Sequence, residues 1–465
     1  MDEKTIDWEL DVTSYPSASW VKKRRTSKGQ HIFDVVIVGG GQGALGLSFG
    51  LKREQVINTI CLDENSKGKE GPWNRFARMP TLRTPKYITG PDNGVASLTI
   101  RAYYERRFSK EAWNELTFVP TDVWADYLEW FRDKNNISVK NSVKVKGITW
   151  NDKENVFNVP YFDSEKNDLC ETIYAKKVVL ATGIDGSGKW SVPKWASDKI
   201  DSKFYNHSTD MIDFKKFKGK KIGVLGAGAG AFDNTIRSLE EGASKVDLFF
   251  RRSTLVNINP YRWAEFVGFL RHHKDLPDEK RWKFIHKIIE MGQLPPKDTH
   301  DRACTFPAFK IHPGSSWIDV KEESGKIHVT TNKETFIFDY LIFGTGFRTK
   351  LELRPELLKL HTKICLWRDK YQPTEQTAFT EDLLEHPYLT RHFQYCEKNS
   401  GESPYLKSLF NFNFGCLLSN GFGGASISGM KYSVKAITEE ITRQLYCEDA
   451  DQFYSDLCEF NIKEF

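Results

Sequence analysis

Two stretches of this chain share one rhythm: a short apolar run rich in β-branched residues, a cluster of glycines, then apolar residues at helical spacing. The first is "FDVVIVGGGQGALGLSFGLKRE", opening at Phe33, and the second is "KIGVLGAGAGAFDNTIRSLEEG", opening at Lys221. A continuous apolar run that ends in glycine reads as a parallel strand buried on both faces, since a sheet with one wet face would alternate. A second apolar run follows each: "NTICLDEN" closes in acid, and "SKVDLFFRRS" closes in base. The pattern therefore predicts two strand–helix–strand units.

Between and after them the pattern is weaker. Gly71 to Gly94 carries too much Pro, Gly and Arg for regular structure, and a loop of that length is usually functional. "VPTDVWADYLEWFRDK" predicts a helix with Thr121 as N-cap and Val123, Trp124, Tyr127, Leu128 and Phe131 on its apolar face. "VKVKGITW", "VFNVPYF" and "AKKVVLATG" read as strands. A mixed helical stretch from Tyr261 to Gly292 is expected to pack on the second unit, and "KIHVTTNKETFIFDYLIFGTGF" reads as strands feeding a last apolar one. The chain then runs through a Gly/Ser loop, "SNGFGGASISGMKY", into an amphipathic helix. The fold class expected is α/β with two Rossmann-like dinucleotide-binding domains. Residues 216–331 form a domain inserted into a discontinuous one, 34–215 with 332–465, behind a leader of residues 1–33.

The glycines carry the chemistry. A dinucleotide turn needs glycine where the strand bends, glycine again where backbone approaches the pyrophosphate, and a small residue where helix packs on strand. Gly39, Gly41 and Ala44 supply the first set, and Gly226, Gly228 and Ala231 the second. Gln42 and Gly43 fall in the first turn and Gly230 in the second. Each set follows a buried strand and opens a helix, whose free N–H groups and positive dipole end suit phosphate. The ends of the second strands separate the two sites. Asp63-Glu64 follows Gly39 at the spacing a dinucleotide unit requires; it offers a carboxylate to ribose hydroxyls and would repel a 2′-phosphate. Arg251-Arg252 follows Gly226 at nearly the same spacing and suits a 2′-phosphate through bidentate hydrogen bonds. The first site therefore suits a dinucleotide without a 2′-phosphate, and the second suits NADP.

Composition narrows the class. The 465 residues carry a net charge of +5 with 39% hydrophobic and 28% charged residues, and no basic stripe of the kind nucleic acid requires. "KKRR" at Lys22–Arg25 is the one dense basic run and reads as a solvated leader. The eight cysteines form no C-x-x-C pair and have no zinc spacing with histidine, so no metal site is assigned and a reducing cytoplasm is expected. The acidic start "MDEKTIDWEL" lacks the apolar core of a secretory signal, and no stretch reaches the length of a membrane span.

With both fingerprints placed, the chain resembles the NADPH-dependent flavin monooxygenases, which include flavin-containing, N-hydroxylating and Baeyer–Villiger enzymes. "VVLATG" (Val178–Gly183) is similar to the strand closing the first part of their FAD domain, and "YLIFGTGF" (Tyr340–Phe347) to the strand re-entering it. "GPWNRF" lies where relatives carry a tryptophan loop near the flavin. A signature before the second fingerprint is damaged: His207-Ser208 is kept, but Asp201, Lys203 and Met211 replace its Phe, Gly and terminal aromatic. The resemblance makes the two dinucleotides FAD and NADPH, and it implies cofactor contacts from Trp73, Val145, Thr182, Gly183, His207, Gly344, Thr345, Gly346, Gly424 and Ser426. His207 is expected to be a structural contact rather than a base. Lys86 and Arg83 are the implied catalytic cations, steadying charge on a flavin C4a-(hydro)peroxide that delivers one O2 oxygen to a small amine, sulfur or ketone. Exchanging Lys86 for Met is then expected to divert NADPH electrons to hydrogen peroxide. Two other readings stay open: a reductase feeding a quinone or protein carrier, and a non-catalytic nucleotide sensor. Homo-oligomer formation is also left open.

Overall fold

The computed structural model describes residues 3–13, 19–88, 90–166, 169–374 and 376–465. Strand β1 (Ile32–Val38) leads through a glycine turn into helix α1 (Gln42–Arg53) and back to β2 (Thr59–Leu62). β1 lies between β2 and β3 (Leu169–Leu180), parallel to both, with Ile37 opposite Cys61 on one side and Val179 on the other. Val35, Val36 and Ile37 are wholly buried, as expected of a strand with both faces covered. β3 outruns β1, and its other edge is shared. The antiparallel strand Val156–Asp163 covers Leu169–Ala175, and Leu409–Asn411, far along the chain, pairs in parallel with Val178–Leu180. That late strand makes the first domain discontinuous.

The second unit repeats the scheme with β4 (Lys221–Leu225), α2 (Ala229–Glu240) and β5 (Lys245–Phe249). Its sheet is extended by Phe309–His312 beyond β5 and by β6 (Tyr340–Phe343) and Tyr205–His207 beyond β4, every pair parallel. This corrects two sequence expectations. Tyr340–Phe343 does not re-enter the first domain; it is buried at all four positions against β4. The second sheet also reaches past 216 and 331 on both sides, because β4 needs a covered neighbour on each edge. The chain returns instead through Phe347–Thr349, antiparallel to Gly188–Trp190, and then through Leu409–Asn411.

The loop expected over Gly71–Gly94 holds no helix or strand among its described residues. The helix expected after it spans Thr121–Lys134, with Thr121 as its first residue rather than its cap. The Thr121 hydroxyl donates to the Met79 carbonyl at 2.8 Å and so ties the helix to the loop.

The helical stretch after β5 departs from expectation. The short helices Pro260–Trp263 and Val267–His272 and helix α3 (Asp278–Met291) do not pack on the second sheet. Phe269, Trp282, Ile285 and Ile288 join Trp367, Leu383, Leu417 and Leu418 in one apolar cluster, so the excursion leans on the returning part of the first domain. The apolar face of α2 is already filled by Ile222, Val224, Val246 and Leu248, which leaves the excursion to find its cover elsewhere. The long helix α4 (Ile427–Glu448) packs on α1. "KKRR" is not merely solvated: Lys22 pairs with Asp456 and Arg24 with Asp449, while Trp20 lies edge-on to Tyr446.

Candidate functional site

At the first turn, Gly39 has φ +109°, and a Cβ there would stand 2.4 Å from the Ala181 carbonyl oxygen at the end of β3. Only glycine fits. Gly41 caps α1 without any side-chain hydrogen bond, and the first turn of α1 holds no acidic residue. A Cβ on Gly41 would meet nothing closer than 3.9 Å, so backbone at this point faces open space. Gly43 has the Phe412 ring 3.2 Å from its Cβ position, and Ala44 is fully buried. An uncapped, acid-free helix start behind a glycine cradle fits the pyrophosphate of FAD.

Asp63 lies within hydrogen-bond reach of this turn. Its Oδ2 accepts the Gly40 N–H at 2.7 Å, and its Oδ1 accepts the Asn65 backbone N–H at 2.8 Å. Burial pushes its pKa up, against the pull of those hydrogen bonds. Glu64 is half exposed and pairs with Lys144 at 3.1 Å. Sequence reasoning missed Glu70 and Arg132, an ion pair at 2.7 Å that lines a small cavity with Gly40, Gly41 and Trp73. No spacing rule marks that pair, since one partner sits on a loop and the other on a distant helix. The Trp73 ring meets Trp124 edge-on with centroids 6.2 Å apart. Val145 is buried in the strand Val143–Val145, whose first N–H donates to the Asp63 carbonyl.

The second turn repeats this geometry. Gly226 has φ +132°, and a Cβ would fall 2.2 Å from the Gly344 carbonyl oxygen. Gly228 caps α2 without a side-chain bond, and again no acid occupies the first turn, which fits the pyrophosphate of NADPH. Gly230 faces the Ser208 hydroxyl, and Ala231 packs where Gly344 leaves room for it. Gly344 thus serves the second turn as Ala181 serves the first. The Thr-Gly pairs that follow are also related: Thr182 accepts from the Asn413 amide at 3.1 Å, and Thr345 donates to the Ser191 carbonyl. Gly183 and Gly346 both adopt positive φ, +82° and +73°.

The two arginines at the end of β5 part company. Arg251 is exposed. Arg252 donates to the carbonyls of Glu290 at 2.6 Å and Met291 at 3.1 Å, at the C-terminus of α3. His207 is buried beside Trp190, and its Nδ1 meets the Thr209 hydroxyl at 2.8 Å. Burial lowers its pKa, which keeps the imidazole neutral and suits a structural contact.

The loop 71–94 reaches across to the second unit. Arg83 pairs with the buried Asp233 of α2, and Arg78 donates to the carbonyls of Ser208 and Asp210. Burial pushes Arg78 down to about 10. Lys86 donates to the carbonyls of Trp113 at 2.7 Å and Asn114 at 3.1 Å. Both Arg83 and Lys86 line a cleft of about 2000 Å³ that also takes in Gly346, Gly424 and Ser426. Ser426 caps α4, its hydroxyl accepting the Gly429 N–H at 3.1 Å, while Gly424 sits too close to the Asn413 carbonyl for any side chain. Among the described residues no cysteine lines this cleft, and no cluster of three or more metal-ligating side chains occurs. No helix among them is long and apolar enough to cross a membrane.

Comparison with known proteins gives a consistent picture. Residues 36–274 match the family model described as pyridine nucleotide-disulphide oxidoreductase. The chain is 34% identical over 463 residues to an FAD-dependent urate hydroxylase of Xanthomonas campestris pv. campestris, covering 100% of this chain and 96% of that one. Its fold is similar to an ornithine hydroxylase of Pseudomonas aeruginosa, with a TM-score of 0.70 at 13% identity over 89% of this chain and 100% of that one. It is also similar to an ornithine N-hydroxylase of Kutzneria solved with reduced FAD, NADP+ and L-ornithine, with a TM-score of 0.67 at 16% identity, over 89% and 99% of the two chains.

Proposed function

Since the chain belongs to the pyridine nucleotide-disulphide oxidoreductase family and is an FAD-dependent monooxygenase of its flavin branch, we propose that its substrate is a planar, nitrogen-rich heterocycle of the urate class. The observation that carries this reading is the whole-length likeness to a urate hydroxylase, 34% over 463 residues. The cleft supports it. Its walls bring amide side chains at Asn257 and Gln293, cations at Lys86 and Arg348, and the rings of Tyr261 and Phe422 to one space. A flat ring bearing both carbonyls and N–H groups needs that mixture: faces to stack on, and donors and acceptors at its edge.

FAD held at the first turn would supply the redox chemistry between NADPH and O2. The residues of this chain bind, orient and enclose. Gly39, Gly41 and the start of α1 hold the FAD pyrophosphate, and Gly226, Gly228 and the start of α2 hold that of NADPH. Arg251 takes the 2′-phosphate. Lys86, fixed by two carbonyls at the end of a helix, places a positive charge on the cleft wall and is the candidate to steady negative charge in the reaction. Its replacement by Met is expected to raise the share of NADPH electrons that end in hydrogen peroxide, and unchanged coupling would remove it from the reaction. Eight free thiols suit a reducing compartment, the cytoplasm.

NADPH and O2 consumption measured with urate, a thioether, a ketone and ornithine tests the substrate reading. Oxygenated product formed in step with NADPH is expected from urate. Coupled product from ornithine alone would overturn the class, and NADPH oxidation without any oxygenated product would favour a reductase.

A further inference from the structure

The excursion after β5 brings one acidic side chain into the wall of the cleft. Glu265 follows the short helix Pro260–Trp263 and lies half-buried in the cleft wall. Its Oε1 accepts the hydroxyl proton of Ser428 at 3.1 Å. Ser428 is buried in the first turn of α4, the helix whose N-terminus opens on the cleft. Tyr261 and Phe422, which line the same cleft, stack with centroids 5.2 Å apart and planes 26° from parallel. The other carboxyls lining the cleft, Glu115, Asp298, Asp301 and Asp382, are exposed, and Asp301 is already paired with Lys297. Among the described residues Glu265 is therefore the one cleft carboxyl that is both partly desolvated and fixed by a hydrogen bond.

Oxygenating the urate class of ring sets a requirement. When an sp2 ring carbon gains a hydroxyl, the carbon–carbon double bond is lost and a carbon–nitrogen double bond replaces it. One ring N–H must then give up its proton. Resting on the substrate reading above, we propose that Glu265 is the base that accepts this proton. The N–H bond breaks and an O–H bond forms on the carboxylate. The electron pair stays in the ring and enriches the carbon that takes one oxygen atom of O2, while the other leaves as water with the two electrons of NADPH. The carboxylic acid then returns its proton to solvent through the open cleft. The Ser428 hydroxyl holds one carboxylate oxygen and leaves Oε2 for the substrate.

The electrostatics suit the task. Burial raises the Glu265 pKa above the ordinary carboxylate value, which strengthens it as a base, and the Ser428 bond and the Arg262 guanidinium limit the rise. Arg262 is the charge that faces it. α4 presents the neutral Ser428 hydroxyl.

The test is urate turnover by FAD-loaded Glu265→Gln. Losing a general base typically costs on the order of 10²-fold or more in rate. We expect urate-dependent kcat to fall by about that factor, with anaerobic flavin reduction by NADPH unchanged within about twofold. In the wild type, kcat/KM for urate should rise with pH through an acidic limb that Glu265→Gln lacks. If Glu265→Gln loses its flavin, Glu265→Asp decides: one methylene shorter, it should keep the acidic limb with kcat about tenfold lower. A variant that keeps wild-type kcat with urate and the same acidic limb would overturn the proposal and leave the substrate reading standing. A wild-type enzyme that forms no product from urate overturns the substrate reading first, and the base assignment with it.

Discussion

At Gly39 and at Gly226 the same collision selects the residue: a Cβ would land 2.4 Å from the Ala181 carbonyl oxygen in the first case and 2.2 Å from that of Gly344 in the second. Both turns open an uncapped, acid-free helix, and both are pressed by a neighbouring parallel strand that ends in a Thr-Gly pair. The difference lies in the charge at the end of the second strand. Asp63 is buried and braces its own turn through Gly40, whereas Arg251 stands in solvent. A charged group folded into the protein suits a nucleotide that stays as part of the core. An exposed guanidinium suits one that comes and goes, because little has to move for it to bind or leave.

The largest break in this comparison is expected from the glycines. Gly39→Ala forces a Cβ against backbone at positive φ. Backbone strain alone costs about 1–3 kcal/mol, and the contact adds to it. The expected result is a destabilised protein that purifies without yellow flavin, read by absorbance and thermal melting. Gly226→Ala meets the same collision in the other unit and should retain flavin while losing NADPH-driven reduction. If Gly226→Ala lost flavin as well, the two turns would not be separate sites.

Next come the arginines. A hydrogen bond to a charged group contributes about 1.5–3 kcal/mol, so Arg251→Ala should raise KM for NADPH roughly 10- to 100-fold while NADH is used as before. Arg252→Ala should move that KM far less and loosen the end of α3 instead, because its guanidinium is already held by Glu290 and Met291. Equal effects on NADPH from both variants would mean that Arg252 leaves those carbonyls to bind the phosphate. The bond between the units is a smaller lever. Arg83→Ala leaves Asp233 buried without its cation and should cost about 1–3 kcal/mol in unfolding experiments.

Titration gives the smallest and most specific contrast. The raised pKa of Asp63 contributes stability that is present below the ordinary carboxylate pKa and lost as pH rises through the native value. The lowered pKa of His207 contributes stability that is present above the ordinary histidine pKa and lost as pH falls through the native value. Melting temperature followed against pH should therefore change in the carboxylate range for Asp63→Asn and in the histidine range for His207→Gln. The same response in both variants would erase the distinction.

The turns were legible because they are local. A buried strand, two glycines and a small residue within a few positions leave little freedom, and backbone collision rather than side-chain chemistry sets the pattern. The excursion from Pro260 to Met291 was not legible in the same way. Its periodicity marks helices but says nothing of their partner, and Phe269 and Trp282 find theirs at Trp367 and Leu417, far onward in the chain. The last apolar strand was misplaced for a related reason. Tyr340–Phe343 is apolar enough for either sheet, and only the free edge of β4 assigns it. Glu70, Arg132 and Glu265 carry no motif at all.

By itself the sequence determined two glycine strand–turn–helix units, their order along the chain and the sign of charge at the end of each, because those features rest on steric and electrostatic rules inside a single strand–helix–strand unit. Tertiary structure alone decided which strand presses on which turn, that Asp63 faces inward while Arg251 faces out, and that Glu265 meets Ser428 at the cleft. These are contacts between residues far apart in the chain. Packing and desolvation set them, and neither is written in any local spacing.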